Sequence, residues 1–381
     1  MLMARASSKF AVINQKPTRQ TCLPLMEMKR SRKFCTSLKA IRLKSSETRG
    51  TRSLEKEEAL LGKKTKQTPL GTFKVLSYNV CFWDLELRER MEAIGDLIQL
   101  HSPDVVCLQE VTQEMYHIFK QSTWWWKAYR CSASYDFENV KPYFCMQLSK
   151  LTVKSYSCTP FSNSKMGREL CLTEIQVGGG RSKQLVIATS HLESPCPAPP
   201  TWTQMYSKER VAQAKEAMSI LKGWPNVIFC GDINWDEKKD GPFPLPEGWV
   251  DAWTELKPGD SGYTYDTKSN QMISANWPLR MRLDPFVCNF QDFKICEIEM
   301  IGMEAIPGLS YRKEKKLRGQ LQELMLPVLP SDHYGLLLTI MKLWSRLYNL
   351  SLDSLEETRL RQCFALLLYR TRALTWYDPK I

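Results

Sequence analysis

No run of about 18 consecutive apolar residues occurs anywhere in the 381-residue chain, so the sequence offers no membrane-crossing helix. No Cys-x-x-Cys occurs either. The 13 cysteines are scattered and odd in number, and several (Cys81, Cys107, Cys230) sit inside apolar runs. That excludes zinc-finger spacing and fits buried free thiols in a reducing compartment better than a disulfide framework. No internal repeat is visible. Excess positive charge is missing from the centre: residues 72–341 carry 29 Lys+Arg against 32 Asp+Glu. The net charge of +12 therefore belongs to the flanks, with 17 against 5 in residues 1–71 and 7 against 4 in 342–381.

A basic arm attracts polyanions through counterion release, whatever the folded part does. Residues 1–71 lack a sustained hydrophobic period and are expected to form a disordered leader. "KRSRK" at 29–33 suits a nuclear import signal, and the same acid-poor composition suits an organelle transit peptide. Composition leaves both open. Residues 342–381 are rich in Leu and Arg, with a helix expected at 353–369 and nothing resembling a site.

From Thr72 to Met341 the pattern is different, and long enough for a sizeable core. Strand-like runs are expected at 73–80, 103–111, 143–148, 169–177, 184–192, 226–234 and 282–288. Residues 86–101 place Leu87, Met91, Ile94, Leu97 and Ile98 on one helical face, and 206–224 form a second amphipathic helix. Many short strands with few helices predict two packed sheets with helices on their outer faces.

Several of these runs end alike, in polar side chains suited to a metal or a phosphate. "LSYNV" ends on Asn79, "VVCLQEV" on Gln109 and Glu110, and "VIATSHLES" on His191, Glu193 and Ser194. "VIFCGDIN" ends on Asp232 and Asn234, "MRLD" on Asp284, and "PSDHYG" supplies Asp332 and His333 directly before a buried strand. Taken singly, each is an ordinary turn or a packed histidine. Six such tips on one edge of a sandwich can meet in one pocket.

Ordered Asn, Gln-Glu, Gly-Asp-x-Asn and Ser-Asp-His at these spacings resemble the endonuclease/exonuclease/phosphatase superfamily. "SPDVVCLQEV" (102–111), "SHLES" (190–194) and "LPSDHYGLLLTI" (329–340) are similar to its branch that removes trapped topoisomerase tyrosine from 5′ DNA ends. The resemblance implies a four-layered α/β sandwich of two mixed sheets with outer helices, DNase I-like, over residues 72–341. It also implies cleavage of a phosphodiester with Mg²⁺, or Mn²⁺ in its place, by a monomer acting on a single-stranded 5′ end.

On this resemblance Glu110 is the metal ligand, with Asp332 an outer partner and Asn79 orienting water or phosphate. Asp232 orients and deprotonates the attacking water, and Asn234 donates to a phosphate oxygen. His333 places charge on the phosphate, its tautomer fixed by Asp284. His191 and Ser194 hold the phosphate. Tyr265 is the expected base platform, with the Trp277 region as a further one; the run Trp124–Trp126 is expected to pack in the core.

Three positions depart from the branch. Pro285 follows Asp284 where relatives carry Arg, and a proline inside a strand would distort it and loosen the Asp284–His333 pair. Trp235 stands where animal relatives continue Leu-Arg, so one phosphate-gripping cation is absent or supplied elsewhere. "SYN" replaces "TWN". Two other readings stay open: a same-fold nuclease, deadenylase or phosphatase with another phosphoester, and a non-catalytic binder disabled by Pro285.

Overall fold

The computed structural model describes residues 71–132, 141–177, 183–273, 278–317 and 320–343. The basic leader with its 29–33 segment, Trp277 and the helix expected at 353–369 lie outside the described residues.

In chain order the strands are β1 (Thr72–Asn79), β2 (Val105–Val111), β3 (Arg130–Cys131), β4 (Phe144–Ser149), β5 (Val153–Pro160), β6 (Glu169–Val177), β7 (Lys183–His191) and β8 (Asn226–Asp232). They continue as β9 (Val250–Asp251), β10 (Tyr265–Asp266), β11 (Arg280–Met281), β12 (Phe286–Phe290), β13 (Phe293–Ile301), β14 (Ser310–Leu317), β15 (Gln320–Pro327) and β16 (Gly335–Lys342). The helices are α1 (Leu87–His101), α2 (Gln113–Gln121), α3 (Thr123–Ala128), α4 (Ser207–Leu221), α5 (Glu237–Asp240) and α6 (Ala252–Leu256).

Two six-stranded sheets carry the fold, ordered β13-β16-β1-β2-β4-β3 and β5-β6-β7-β8-β12-β9. Alternation along each strand decides which residues face the other sheet and which face a helix. Val75 joins Val105, Cys107, Ile187, Ile228, Leu336 and Leu338 in the core between the sheets. Its neighbour Leu76 joins Val106, Leu108, Met91, Ile94, Ile98 and Phe119 beneath α1 and α2. On the far side, Val186, Ala188, Val227 and Phe229 pack against Ala214, Ala217, Met218 and Leu221 of α4. The result is four layers, helix–sheet–sheet–helix. Trp125 is buried in the first helical layer with Trp124 packed against it.

Each sheet is antiparallel except at one pair. β1 and β2 run parallel in the first sheet, and β7 and β8 in the second. Parallel neighbours need a crossover, which α1 and α4 provide. Parallel pairing also puts both carboxyl ends on the same edge: Asn79 pairs in register with Gln109, and His191 with Asp232. Stacking the sheets brings these four strand ends together.

Two expectations need correction. The strand expected over 282–288 begins at Phe286, after Pro285, so the proline's missing N–H is never asked to join the ladder. The concern that Pro285 distorts the Asp284–His333 pair does not hold. Residues 293–301, absent from the expected strands, form β13 beside β16; a register shift between Ile295 and Glu297 breaks the two-residue alternation that would have signalled it.

Candidate active site

Asp232 is the centre of the polar cluster. It ends β8 after Gly231, whose φ of 128° and closeness to Ser190 O exclude a side chain: a Cβ there would lie 2.1 Å from that oxygen. The tight approach sets Asp232 directly opposite His191. Asn79 Nδ2 donates to Asp232 Oδ2 at 2.9 Å, and the Asn234 backbone N–H donates to Oδ1 at 3.0 Å. His191 Nε2 lies 3.4 Å and His333 Nε2 3.7 Å from the same Oδ2. Chain positions over 250 residues apart thus surround one carboxylate.

Glu110 reaches the cluster through a bulge. The β2–β4 register slips between Leu108 and Val111, and Glu110 takes φ 62°. A bulge re-aims a side chain that regular pleating would bury between layers. Non-glycine residues at positive φ cost about 1–3 kcal/mol each, and Asn234 at φ 50° is another. Phe82 N–H donates to Glu110 Oε2 at 3.0 Å, and Glu110 Oε1 lies 3.9 Å from His191 Nε2.

The two histidines are held in opposite states. Burial, then the charges of Arg168 and His333, push His191 well below its ordinary pKa, so it is neutral and its contacts to carboxylates are not ion pairs. Burial also opposes a charge on His333, but Asp284 and Asp232 outweigh it and raise that imidazole well above its usual value. Asp284 Oδ2 receives His333 Nδ1 at 2.9 Å, leaving Nε2 directed to the cluster. Burial raises Glu110, with the Asp332 charge adding to it. Burial likewise lifts Asp232 to about 7, His333 opposing and Asp284 and Glu110 adding.

Ser331 Oγ donates to Asn79 O at 2.6 Å, joining the Ser-Asp-His loop to the end of β1. Asp332 is half-buried beside it. Ser194 Oγ collects Arg168 Nη2 at 2.8 Å, Asn234 Nδ2 at 3.1 Å and His191 Nε2 at 3.1 Å. The Tyr265 ring lies 5.0 Å from the His333 ring. All ten residues expected at a site therefore lie in or against one cluster.

Comparison with known proteins decides the lineage. The sequence profile of the Endonuclease/Exonuclease/phosphatase family matches residues 76–289. Tyrosyl-DNA phosphodiesterase 2 of Bos taurus is 30% identical over 288 residues, 73% of this chain and 70% of that protein. The chain belongs to the endonuclease/exonuclease/phosphatase family. Its human relative of the same name is 29% identical over 283 residues, 72% of this chain and 69% of that one. The fold agrees with a crystal structure of D. rerio TDP2 complexed with single strand DNA product (TM-score 0.56, 24% identity, 71% of this chain and 98% of that one). It agrees also with truncated Caenorhabditis elegans TDP2 (TM-score 0.55, 23% identity, 71% and 98%).

In this family member some polar tips serve the frame. Gln109 Nε2 donates to Thr189 Oγ1 at 3.0 Å across the two sheets. Glu193 is buried and accepts from Gln213 Nε2 at 2.7 Å, Lys165 N at 2.8 Å and Ser164 Oγ at 3.0 Å. It fixes the loop that delivers Arg168. Trp235 packs on Phe243 and donates to Gly241 O at 2.9 Å, a core role.

The sequence reading missed Arg168, Tyr143 and Phe82. Arg168 is 4% exposed, its Nε has no hydrogen-bond partner, and its guanidinium lies 5.3 Å over the Tyr143 ring. It lines one cleft with Glu110, Tyr143, Cys145 and His191. Tyr143 stacks on the exposed Phe82 ring at 5.1 Å. Arg168 is a cation next to Ser194, one of the residues expected to hold phosphate, where Trp235 supplies none. Nothing in "KMGREL" marks it.

Proposed function

We propose that the chain is a metal-dependent phosphodiesterase that hydrolyses the 5′-phosphotyrosyl bond between a topoisomerase adduct and DNA, leaving a 5′-phosphate for repair. The observation that carries this is the convergence of Asn79, His191 and His333 on Asp232, with Glu110 beside it. The tyrosyl-DNA substrate follows the relatives' name, and its 5′ topoisomerase linkage follows the resemblance of the sequence motifs. The catalytic unit in this reading is residues 72–341, and the basic leader takes it to the nucleus.

The donor set fits a hard divalent cation. Glu110, Asp232 and Asp332 crowd carboxylates into one place, and burial, with neighbouring carboxylate charge adding to it, pushes Glu110 and Asp232 up in pKa. Oxygen donors suit Mg²⁺, with Mn²⁺ a substitute, and Mg²⁺ typically takes one or two carboxylates and keeps several waters. Glu110 would hold it first, with Asp332 as the outer partner. When bound, the cation supplies charge stabilisation to the non-bridging phosphate oxygens.

The remaining work falls to the chain itself. Asp232, held near neutrality, accepts a proton from the attacking water while Asn79 and Asn234 fix its two oxygens. His333, kept cationic by Asp284, donates from Nε2 to the phosphate as charge grows in the transition state. His191, Ser194 and Asn234 hold the phosphate from the other side. Arg168, hydrogen-bonded to Ser194, adds a cation on that same side. The leaving phenolate has a parent pKa of about 10, so a dedicated strong acid is unnecessary.

A 5′-phosphotyrosyl oligonucleotide tests the reading: with Mg²⁺ the expected product is the 5′-phosphate, and Glu110→Ala is expected to yield none. Absence of turnover by the unaltered protein with either cation would remove it. The intact Asp284–His333 pair favours an enzyme over a disabled binder.

A further inference from the structure

Three cysteine pairs touch among the described residues, Cys107–Cys230, Cys158–Cys171 and Cys145–Cys171, and they differ in access. Cys107 and Cys230 are fully buried between the sheets, closed to any oxidant. Cys158 on β5 and Cys171 on β6 stand directly opposite in the ladder, with Sγ atoms 2.9 Å apart. Cys171 is buried and Cys158 is exposed. Cys145 also approaches Cys171, and it lines the cleft that holds Glu110 and His191. This thiol group therefore sits at the edge of the proposed active site without belonging to it.

Two chemistries could use it. A soft metal would draw on Cys158, Cys171 and the nearby Glu169, whose ligand atoms lie within 4.8 Å of one another. Thiolates sharing a tetrahedral zinc sit about 3.8 Å apart, given Zn–S bonds of about 2.3 Å. At 2.9 Å the sulfurs are too close for that, and Glu169 is already paired with Lys141 at 2.7 Å. A disulfide needs about 2.05 Å between sulfurs, a closure of less than an ångström for side chains on one face of one ladder.

We propose that Cys158 and Cys171 form a peroxide-oxidised dithiol, a reversible modification site on the rim of the cleft. The Cys158 thiolate attacks one oxygen of hydrogen peroxide; the O–O bond breaks, giving Cys158 sulfenic acid and hydroxide. Hydroxide takes the Cys171 proton, the Cys171 sulfur attacks the Cys158 sulfur, and the S–O bond breaks as the S–S bond forms. The second hydroxide leaves and is protonated by solvent. A small dithiol reductant reverses the bond by exchange. Exposure and a lowered pKa, the Cys171 hydrogen bond outweighing burial, make Cys158 the attacking partner.

Full-length protein treated with stoichiometric peroxide and mapped by mass spectrometry tests this independently of the enzymatic reading. The expected result is a Cys158–Cys171 cross-link, reversed by dithiothreitol, while Cys107 and Cys230 stay reduced. Cys171→Ser, whose hydroxyl keeps a donor to Cys158, should accumulate a dimedone-reactive sulfenic acid on Cys158, and Cys171→Ala, which removes that donor, should accumulate it more slowly. Cys158→Ser should show neither product. Peroxide that oxidises the exposed Cys296 before this pair would overturn the proposal. So would one zinc per purified chain, lost in Cys158→Ser.

Discussion

Strands β1 and β2 with helix α1, and strands β7 and β8 with helix α4, are two versions of one arrangement. Each is a parallel pair with a 15-residue crossover helix. Each helix follows a left-handed residue, Glu86 at φ 43° and Tyr206 at φ 49°. Each buries an arginine at its fourth position, behind a glutamate: Glu89-Arg90 and Glu209-Arg210.

The arginines are used differently. Arg90 gives its five N–H groups to five backbone carbonyls, those of Val80, Cys81, Trp83, Leu85 and Pro330. Among the described residues it makes no ion pair. Arg210 forms a bidentate pair with Asp240 and also bonds the carbonyls of Glu193 and Met205. One half secures loops by saturating a guanidinium with carbonyls, the other by neutralising it. The first joins the loop after Asn79 to the loop before His333, so it reaches the proposed active site. The second anchors the strap behind Ser194.

Removal of a proposed reacting group is the harshest test of this pairing, because each half supplies a carboxylate. Glu110→Ala and Asp232→Ala should each cut turnover about a thousandfold or more, read in single-turnover cleavage. If one falls and the other does not, the halves do not share one phosphate. Next come the arginines. Arg210→Met strands a buried carboxylate and should cost about 3–5 kcal/mol in denaturant unfolding, most of it recovered in Arg210→Met with Asp240→Leu. Arg90→Met has no such rescue and should also lower kcat about tenfold, since the loops beside Asn79 and His333 loosen.

A gentler probe is pH. In the proposed mechanism Asp232 loses its proton to act as base beside the cation, so apparent Mg²⁺ affinity should rise with pH through about 7, with proton release seen by calorimetry in two buffers. Asp284→Asn should remove alkaline activity first, because His333 then loses its cationic form at lower pH. The smallest effect is expected at Tyr265, where Ala should raise KM a few-fold and leave kcat nearly unchanged.

Much of the sandwich was legible in residues. Expected boundaries at 169–177 coincide with β6, and those of the two parallel pairs differ by one or two residues. The apolar face of α1 is the buried one. Alternation and helical spacing are local, and burial enforces them. Loss of alternation hid β13 at its bulge, and a proline moved the start of β12. The polar tips were legible as candidates, but their division of labour was not. Gln109 and Glu110 are adjacent, yet one ties the sheets and the other faces the cleft, because a bulge turns the second outward.

By itself the sequence determined the two parallel pairs with their crossover helices, strands β4, β6 and β16, the basic flanks, and the set of polar residues placed at strand ends. Each follows from local periodicity, proline and charge. Only tertiary structure decided that Arg168 enters the cleft, that His191 is neutral while His333 is charged, and that Cys158 meets Cys171. Those facts depend on distances between segments far apart in the chain. Burial and neighbouring charge set them once the two sheets close on each other.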